Sequence, residues 1–211
     1  MKVVAINGSP HKEGNTYQAL KMVGSKLEAN GIDFEIIHVG HKTISGCRAC
    51  GKCRITQDEK CSITTDPLNE WIQILKDADG IILSSPVHFS GVAGTMKSFL
   101  DRLFYVTLSN GGMFRHKVGA AVVAVRRSGG SSTLDCLNHY ITYSEMMLAS
   151  SNYWNIIHGT TPGDATQDSE GVQIMEELGN NMAWQLKMRE MTKDTLVEPE
   201  RVQKVMMNFI R

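Results

Sequence analysis

The chain has 211 residues, of which 42% are hydrophobic, and its 22 lysines and arginines balance 22 aspartates and glutamates. This length fits one domain with a sizeable core, and the balanced charge provides no field that would recruit nucleic acid or an anionic membrane. No apolar run is long enough to span a bilayer, and the first ten residues lack the features of a signal peptide.

The first half of the chain alternates short apolar runs with helical periodicity. Buried strands are predicted over 3–7 and 80–83, a second strand over 34–39, and helices over 16–29 and 68–75. A long loop that contains four cysteines separates the second strand from the second helix.

The second half continues the same alternation. An amphipathic helix is predicted over 95–104 and a fourth strand over 118–125. A long helix over 131–148, a fifth strand over 153–157 and a closing helix over 170–191 follow.

Strands that alternate with helices predict an α/β fold with a parallel sheet covered on both faces. Five such units favour a three-layer sandwich whose five-stranded parallel sheet has the order 2-1-3-4-5. Ligands of such folds bind beyond the carboxyl ends of the strands, so functional residues are expected directly after Asn7, Leu83 and Val125.

We expect a single domain over residues 1–211. It includes a cysteine-rich loop over 46–66 and a C-terminal helical tail over about 198–211. Within that tail, 202–210 is interpreted as a short helix or as a segment that packs on a partner subunit.

The first loop, "NGSPHKEGNTYQAL", lacks the sequence of an ATP-type phosphate loop and of a dinucleotide fold. Its Ser9, Asn15 and Thr16 surround a turn that leads into a helix, where free N–H groups and the helix dipole favour a phosphate dianion. His11 and Lys12 add charged donors. The alternative is an ordinary turn with a helix cap at Asn15 or Thr16.

The second loop, "SSPVHFSGVAGTMKSFLDR", follows the third strand. Pro86 stiffens the strand exit, and Val87, His88 and Phe89 present a mixed apolar and aromatic edge to a planar heterocycle. Ser90 allows close approach of the backbone. The alternative for His88 is a surface histidine without a ligand.

The third loop, "RRSGGSST", follows the fourth strand, and its glycines permit close approach to a ligand or a left-handed turn. We expect Ser128, Gly129 and Gly130 to border a ligand bound at this edge of the sheet. Arg126 and Arg127 are interpreted as solvated, with phosphate pairing as the alternative.

Two further features of the sequence are interpreted as structural. Asp101 and Arg102 are expected to form an Asp–Arg pair on a helix. Cys136 lies in a predicted helix and is expected to be a small core residue.

The segments "GSPHKEGNT", "SSPVHFSGVAGTMKSFLDR" and "RRSGG", in this order and spacing, resemble the NADPH-dependent FMN reductase superfamily of flavodoxin-like proteins. The pattern is typical of its iron–sulfur flavoprotein branch and covers roughly residues 1–160. The resemblance implies a flavodoxin-like fold and bound FMN. Position 88 departs from the family, because it is His where Tyr is usual, and this adds a titratable donor beside the flavin.

The resemblance also implies a role for each of the three loops. The FMN phosphate would be held by Ser9, His11, Lys12, Asn15 and Thr16. The isoalloxazine would be lined by Pro86, Val87, His88, Phe89 and Ser90. Its far edge would be closed by Ser128, Gly129 and Gly130.

The cysteine loop, "GCRACGKCRITQDEKC", places Cys47, Cys50, Cys53 and Cys61 at C-x₂-C-x₂-C-x₇-C spacing. Two-residue gaps let three thiolates meet one face of an iron–sulfur cubane, and the fourth returns from a longer excursion. The resemblance implies that these four residues hold a [4Fe–4S] cluster.

Three alternatives for this loop remain open. Zinc also takes four thiolates, but from two separate C-x₂-C pairs. A redox thiol pair is another reading, because Arg48, Lys52 and Arg54 favour thiolates. Free thiols without metal, as in FMN-only relatives, are the third. An odd cysteine count without an export signal favours a reducing compartment, so we expect a cytoplasmic protein.

The resemblance implies an FMN-dependent oxidoreductase that takes electrons from NADH or NADPH. It would pass them to a quinone, a free flavin, a nitroaromatic or the cluster, without a catalytic acid–base pair. A homodimer or homotetramer is expected, with no nucleic-acid or membrane partner. The alternatives are an electron carrier reduced by ferredoxin and a zinc-dependent interaction module.

Overall fold

The computed structural model describes residues 1–207 and 209, so Asn208, Ile210 and Arg211 lie outside the description. The strands of the described chain are β1 (Lys2–Asn7), β2 (Asp33–His38), β3 (Gly80–His88), β4 (Gly91–Val92), β5 (Val118–Val125), β6 (Met147–Leu148) and β7 (Ile156–His158). Its α-helices are α1 (Asn15–Ala29), α2 (Lys52–Thr56), α3 (Leu68–Asp77), α4 (Gly94–Ser109), α5 (Gly130–Tyr143) and α6 (Ser169–Thr192). A 3₁₀ turn (Asp164–Gln167) precedes α6.

The main sheet is parallel and has the order β2-β1-β3-β5-β6, with β7 also paired to β5. β6 pairs with the beginning of β5 and β7 with its end, so two short strands share the fifth position. The predicted order 2-1-3-4-5 is therefore confirmed, with the fifth strand divided into two.

The sheet separates two apolar layers. Alternate residues of β1 face opposite sides, since Val4 and Ile6 belong to one core cluster and Val3 and Ala5 to the other. Helices α3, α4 and α5 cover the first layer, and α1 and α6 cover the second. All eight residues of β5 are buried, as a central strand between two helical layers requires.

Several predicted boundaries were wrong. The helix predicted over 131–148 ends at Tyr143, and its last residues form β6 instead. The third strand continues to His88 and turns back as β4, which the sequence interpretation missed.

The C-terminal tail is not helical where it is described. No helix occurs over 193–207 or at residue 209, and the remainder of the helix predicted over 202–210 falls on residues outside the description. The tail lies against the body through a contact between His116 Nδ1 and Glu198 Oε2 at 3.2 Å and a hydrogen bond from Lys204 to the Tyr143 hydroxyl at 2.8 Å.

The described helices include none with both the length and the apolar character needed to cross a membrane.

Candidate functional site

The carboxyl ends of β1, β3 and β5 lie side by side. Asn7 pairs with Ser84 across β1 and β3, and Pro86 pairs with Ala124 across β3 and β5. The three loops that follow these strands therefore meet at one edge, as the sequence predicts. We call this region the flavin edge, defined by residues 8–14, 86–91 and 126–130.

The first loop is organised by side chains of its own residues. The Asn7 side chain accepts a hydrogen bond from Ser9 N at 3.0 Å and donates one to Lys12 O at 3.2 Å, while Ser9 Oγ accepts from His11 N at 3.2 Å. α1 begins at Asn15 without a side-chain cap and without an acidic residue in its first turn. Its first N–H groups therefore remain available to an anion.

The Asn15 side chain binds a distant loop in this structure. Its Nδ2 donates to Thr161 O at 3.0 Å, and its Oδ1 accepts from Gly163 N and Ala165 N, each at 3.1 Å. Asn15 thus anchors the segment before α6, and its contact with a phosphate stays a prediction. The neighbouring Thr16 is buried.

The second loop is a tight hairpin between β3 and β4. Val87 pairs with Val92 and His88 with Gly91, which leaves Phe89 and Ser90 as the turn. Both turn residues have positive φ, 50° and 60°. This matches a type I′ turn, which usually contains Asn and Gly. Such strain in non-glycine residues is concentrated at functional sites, and here it projects the Phe89 side chain into solvent.

The third loop packs directly on this hairpin. Gly129 has a φ of 85°, and a Cβ at this position would lie 2.7 Å from Ser90 Cα. The Ser132 hydroxyl donates to Ser90 O at 2.9 Å and strengthens the contact. α5 begins at Gly130 without a side-chain cap. The three residues before Gly129 are exposed: Arg126, Arg127 and Ser128.

Two histidines at the end of β2 and just beyond it border the flavin edge, and the sequence interpretation missed them. His38 Nε2 lies 2.7 Å from Ser9 O, and the His38 and His41 rings stack with centroids 4.1 Å apart. Desolvation, together with electrostatic repulsion from its neighbours His38, Lys42 and Lys12, lowers the pKa of His41. The run "HVGHK" at the end of a predicted strand was the available signal.

The four cysteines of the loop line one cavity of about 210 Å³. The short helix α2 lies within the loop, and the second half of α4 forms the opposite wall. Cys47 and Cys50 are exposed, and Cys53 and Cys61 are half-buried. The structure therefore brings together the four residues that were predicted to hold a cluster.

Donors surround three of these sulfur atoms. Ala49 N lies 3.4 Å from Cys47 Sγ, the Ser62 hydroxyl lies 3.3 Å from Cys50 Sγ, and Arg102 Nε lies 3.3 Å from Cys61 Sγ. The Ser62 hydrogen bond lowers the pKa of the Cys50 thiol. Over residues 1–207 and 209, no three His, Cys, Asp or Glu side chains are arranged to hold a single metal ion.

The expected Asp101–Arg102 pair was wrong. Arg102 is buried and pairs with Asp66, whereas Asp101 accepts from Lys97 at 2.7 Å and from the Tyr140 hydroxyl at 2.5 Å. Consecutive helix residues point in different directions, so neighbours in sequence do not face each other. Burial and the Asp101 contact raise the pKa of Tyr140 to about 12.

A signal for the burial of Arg102 was present in the sequence. Arg102 lies on the same face of α4 as Phe99 and Val106, both of which are buried. A charged residue on an apolar stripe requires a partner from elsewhere in the chain. Cys136, expected in the core, is instead only half-buried.

The cysteine cavity lies some distance along α4 from the flavin edge. α4 begins at Gly94, next to the hairpin, and the cavity contacts it from Arg102 onward. At about 1.5 Å per residue, this places the cavity wall roughly 12 Å or more along the helix. The cysteine loop starts at the carboxyl edge and then runs down the side of the domain.

Comparisons with known proteins agree with this architecture. The family described as NADPH-dependent FMN reductase matches residues 1–161. An iron–sulfur flavoprotein of Methanocaldococcus jannaschii is 33% identical over 195 residues, which cover 89% of this chain and 98% of the relative. An iron–sulfur flavoprotein of Methanosarcina thermophila is 27% identical over 199 residues, which cover 92% and 100%.

A solved structure supports the fold alone. The flavodoxin-type WrbA-like protein of Agrobacterium tumefaciens superposes with a TM-score of 0.60 at 15% identity, covering 89% of this chain and 97% of that protein. The flavodoxin-like architecture and the family match agree with the three loops of the flavin edge. The chain belongs to the NADPH-dependent FMN reductase family, in the branch of the iron–sulfur flavoproteins.

Proposed function

We propose that this protein is an FMN-dependent NAD(P)H oxidoreductase that reduces a small planar acceptor. The family match supports a flavin-dependent oxidoreductase. The observation that carries the proposal is the contact between the second and third loops at Ser90 and Gly129. This contact joins two loops at the same sheet edge as the uncapped start of α1, and such an edge suits a planar cofactor with a phosphate.

The residues of the flavin edge fit FMN. The uncapped first turn of α1 supplies N–H groups for the phosphate, and exposed His11 and Lys12 supply positive charge. The hairpin offers the backbone of His88 to Ser90 as an edge for the ring. Bound FMN would take a hydride from a reduced nicotinamide and pass electrons to the acceptor.

The protein's own part in this reaction is binding and orientation. The exposed Phe89 side chain at the hairpin tip provides an aromatic surface at the mouth of the site. The strained turn holds this side chain outward, and Gly129 lets the third loop close behind it. No proton-transferring side-chain pair is needed for these roles.

The cysteine cavity fits a [4Fe–4S] cluster, which we propose as a second redox group. A cubane is held by thiolates spread around a cube, so the four sulfur atoms need not converge as they would on one ion. The set would be Cys47, Cys50, Cys53 and Cys61, and the cluster would exchange single electrons. Donors on the Cys47, Cys50 and Cys61 sulfur atoms are the supporting observation.

The test uses protein purified without oxygen, with FMN, iron, sulfide and zinc quantified on one sample. NADH or NADPH should bleach the flavin within seconds, and steady-state kinetics with a quinone should follow a ping-pong pattern. Flavin that is not bleached by either nicotinamide would contradict the oxidoreductase proposal. A sample that contains flavin but no iron would contradict the cluster proposal and leave the oxidoreductase proposal intact.

An electron carrier reduced by ferredoxin is the second candidate. The exposure of Cys47 and Cys50 on the surface favours it, because a protein donor could approach a cluster held there. Rapid reduction by ferredoxin together with no reaction with nicotinamides would support this candidate over the first.

We further propose that the protein is a homodimer or homotetramer. Trp184, Met188 and Met191 follow one another at helical spacing on α6 and are exposed, as is Trp154. Apolar side chains grouped in this way are typical of subunit contacts. Sedimentation equilibrium on the full chain tests this proposal, and a monomer at micromolar concentration would contradict it.

A further inference from the structure

Arg102 is a buried arginine whose guanidinium lies under the four-cysteine loop. Its side chain has 0% relative exposure, and the side chain of its ion-pair partner Asp66 has 3%. A buried charge without partners is strongly unfavourable, so this position requires a complete set of acceptors.

Each N–H group of the guanidinium has an acceptor. Two of them face the Asp66 carboxylate. The others face Ser45 O at 3.3 Å, Ile63 O at 3.0 Å and Cys61 Sγ at 3.3 Å. Ser45 lies before the first cysteine and the other acceptors lie at or after the last one. One side chain of α4 therefore binds both flanks of the loop.

Cys61 is held at its backbone as well as at its sulfur. Asn69 Oδ1 accepts from Cys61 N at 2.8 Å, and Asn69 Nδ2 donates to Cys61 O at 3.0 Å. In contrast, Cys47 and Cys50 are exposed. The fourth cysteine of the motif is thus held by side chains of α3 and α4 at its sulfur, its N–H and its carbonyl.

We propose that Arg102 is a positioning residue for the cluster: it closes the cysteine loop, fixes Cys61 beside the other thiols and donates an N–H···S bond to its sulfur. This inference rests on the proposed cluster. Hydrogen bonds to cluster sulfur atoms set reduction potentials, because they stabilise the more negative reduced state. Arg102 should therefore determine both how well the cluster is retained and how easily it is reduced.

The test compares three variants of the full chain, each purified without oxygen. Arg102→Lys keeps the charge but loses the planar fork of donors. Asn69→Ala removes the backbone bonds of Cys61 and keeps the guanidinium. Lys97→Met is the control, because it removes a positive charge from the partly exposed side of the same helix.

Iron, sulfide and FMN contents and the midpoint potential of the cluster are measured for each variant. Arg102→Lys should lose most of its iron, and the remaining cluster should have a more negative potential. Asn69→Ala should lose iron without a change of potential, and Lys97→Met should match the wild type in both. An Arg102→Lys protein with wild-type iron content and wild-type potential would overturn the proposal.

A second measurement needs no iron. In iron-free protein, amide hydrogen exchange over 45–66 should be about tenfold faster in Arg102→Lys, with α1 unchanged. Wild-type protein that binds FMN but no iron under any condition would contradict the proposed cluster. Amide hydrogen exchange alone would then decide whether Arg102 closes the cysteine loop. Equal exchange over 45–66 in both proteins would overturn that role too.

Discussion

The flavin edge and the cysteine loop are held in place by different kinds of contact. At the flavin edge the backbones pack directly: a Cβ on Gly40 would lie 2.1 Å from Ser9 O, and one on Gly129 would lie 2.7 Å from Ser90 Cα. The cysteine loop is held by side chains that reach it from α3 and α4.

Those side chains are few and each makes several contacts. Besides Arg102 and Asn69, Asn110 accepts from Glu59 N at 2.9 Å and lies 3.4 Å from Cys53 O. A loop held by packed backbone tolerates most side-chain changes, whereas one held by a few polar side chains depends on each of them.

The largest effect is expected at Asp66. Asp66→Ala leaves the buried Arg102 without its counter-charge, so the free energy of unfolding should fall by about 3–5 kcal/mol. Urea denaturation followed by circular dichroism measures it. The control is Glu35→Ala, which breaks the exposed Lys2–Glu35 pair and should lower the free energy of unfolding by less than about 1 kcal/mol. Equal losses in the two variants would show that the buried pair does not support the loop.

The second prediction tests the packed backbone. Gly129→Ala forces a Cβ against Ser90 at a φ of 85°, so the free energy of unfolding should fall by about 1–3 kcal/mol and FMN should bind more weakly. Flavin fluorescence titration and urea denaturation measure the two effects. Gly94→Ala is the control, because a Cβ there meets no atom within 4 Å. Normal FMN binding by Gly129→Ala would contradict the proposed closure.

A side-chain contact near the flavin edge should contribute less to the free energy of unfolding than the two contacts above. Asp168 caps α6 by accepting from Gly171 N at 3.0 Å and also accepts from His158 N at 2.7 Å. Partial burial opposes ionisation, but these hydrogen bonds prevail and lower the pKa of Asp168. The loss of this cap in Asp168→Ala should cost about 1 kcal/mol at pH 7.

The same contact predicts a pH dependence. A lowered pKa in the folded state means that the contribution is fully present above the ordinary value of about 3.9 and is lost as pH falls through the folded pKa. The stability difference between the wild type and Asp168→Ala should therefore be present at pH 5 and shrink below about pH 4. A difference that grows below pH 4 would refute the assignment. Urea midpoints at each pH provide the measurement.

The smallest effect on stability is expected at Phe89. Its side chain is 107% exposed, so Phe89→Ala should change the free energy of unfolding by less than about 0.5 kcal/mol. The apparent KM for the nicotinamide should rise several-fold, because an aromatic surface at the mouth of the site is lost. Ile55→Ala, at an exposed position of the cysteine loop, should alter neither quantity. An unchanged KM in Phe89→Ala would show that Phe89 does not take part in binding the nicotinamide.

The order of the sheet could be predicted from sequence because strong local patterns carry it. Runs such as "VVAIN" and "VGAAVVAV" are apolar and rich in β-branched residues or alanine, and helices with clear periodicity separate them. The β3–β4 hairpin could not be predicted, because its turn consists of Phe89 and Ser90 instead of Asn and Gly. The residue type at such a strained position is determined by the requirements of the functional site and not by local turn propensity.

The cysteine loop illustrates the same limit. The spacing of the four thiols is visible in the sequence, yet the contacts that close the loop join residues 36 to 57 positions apart. Local patterns carry no information about such pairs. The exposure of Cys136 and the true partner of Arg102 escaped prediction for the same reason: both depend on how helices pack against distant segments.

The divided fifth strand has a consequence for solubility. An uninterrupted strand at a sheet border can act as a template for strand addition from another chain, which leads to aggregation. Here β6 and β7 pair only with the two ends of β5, so no continuous border is offered on that side. On the opposite border, β2 contains Asp33 and Glu35, and charged residues also discourage strand addition. The fold thereby protects both borders of its sheet against association of this kind.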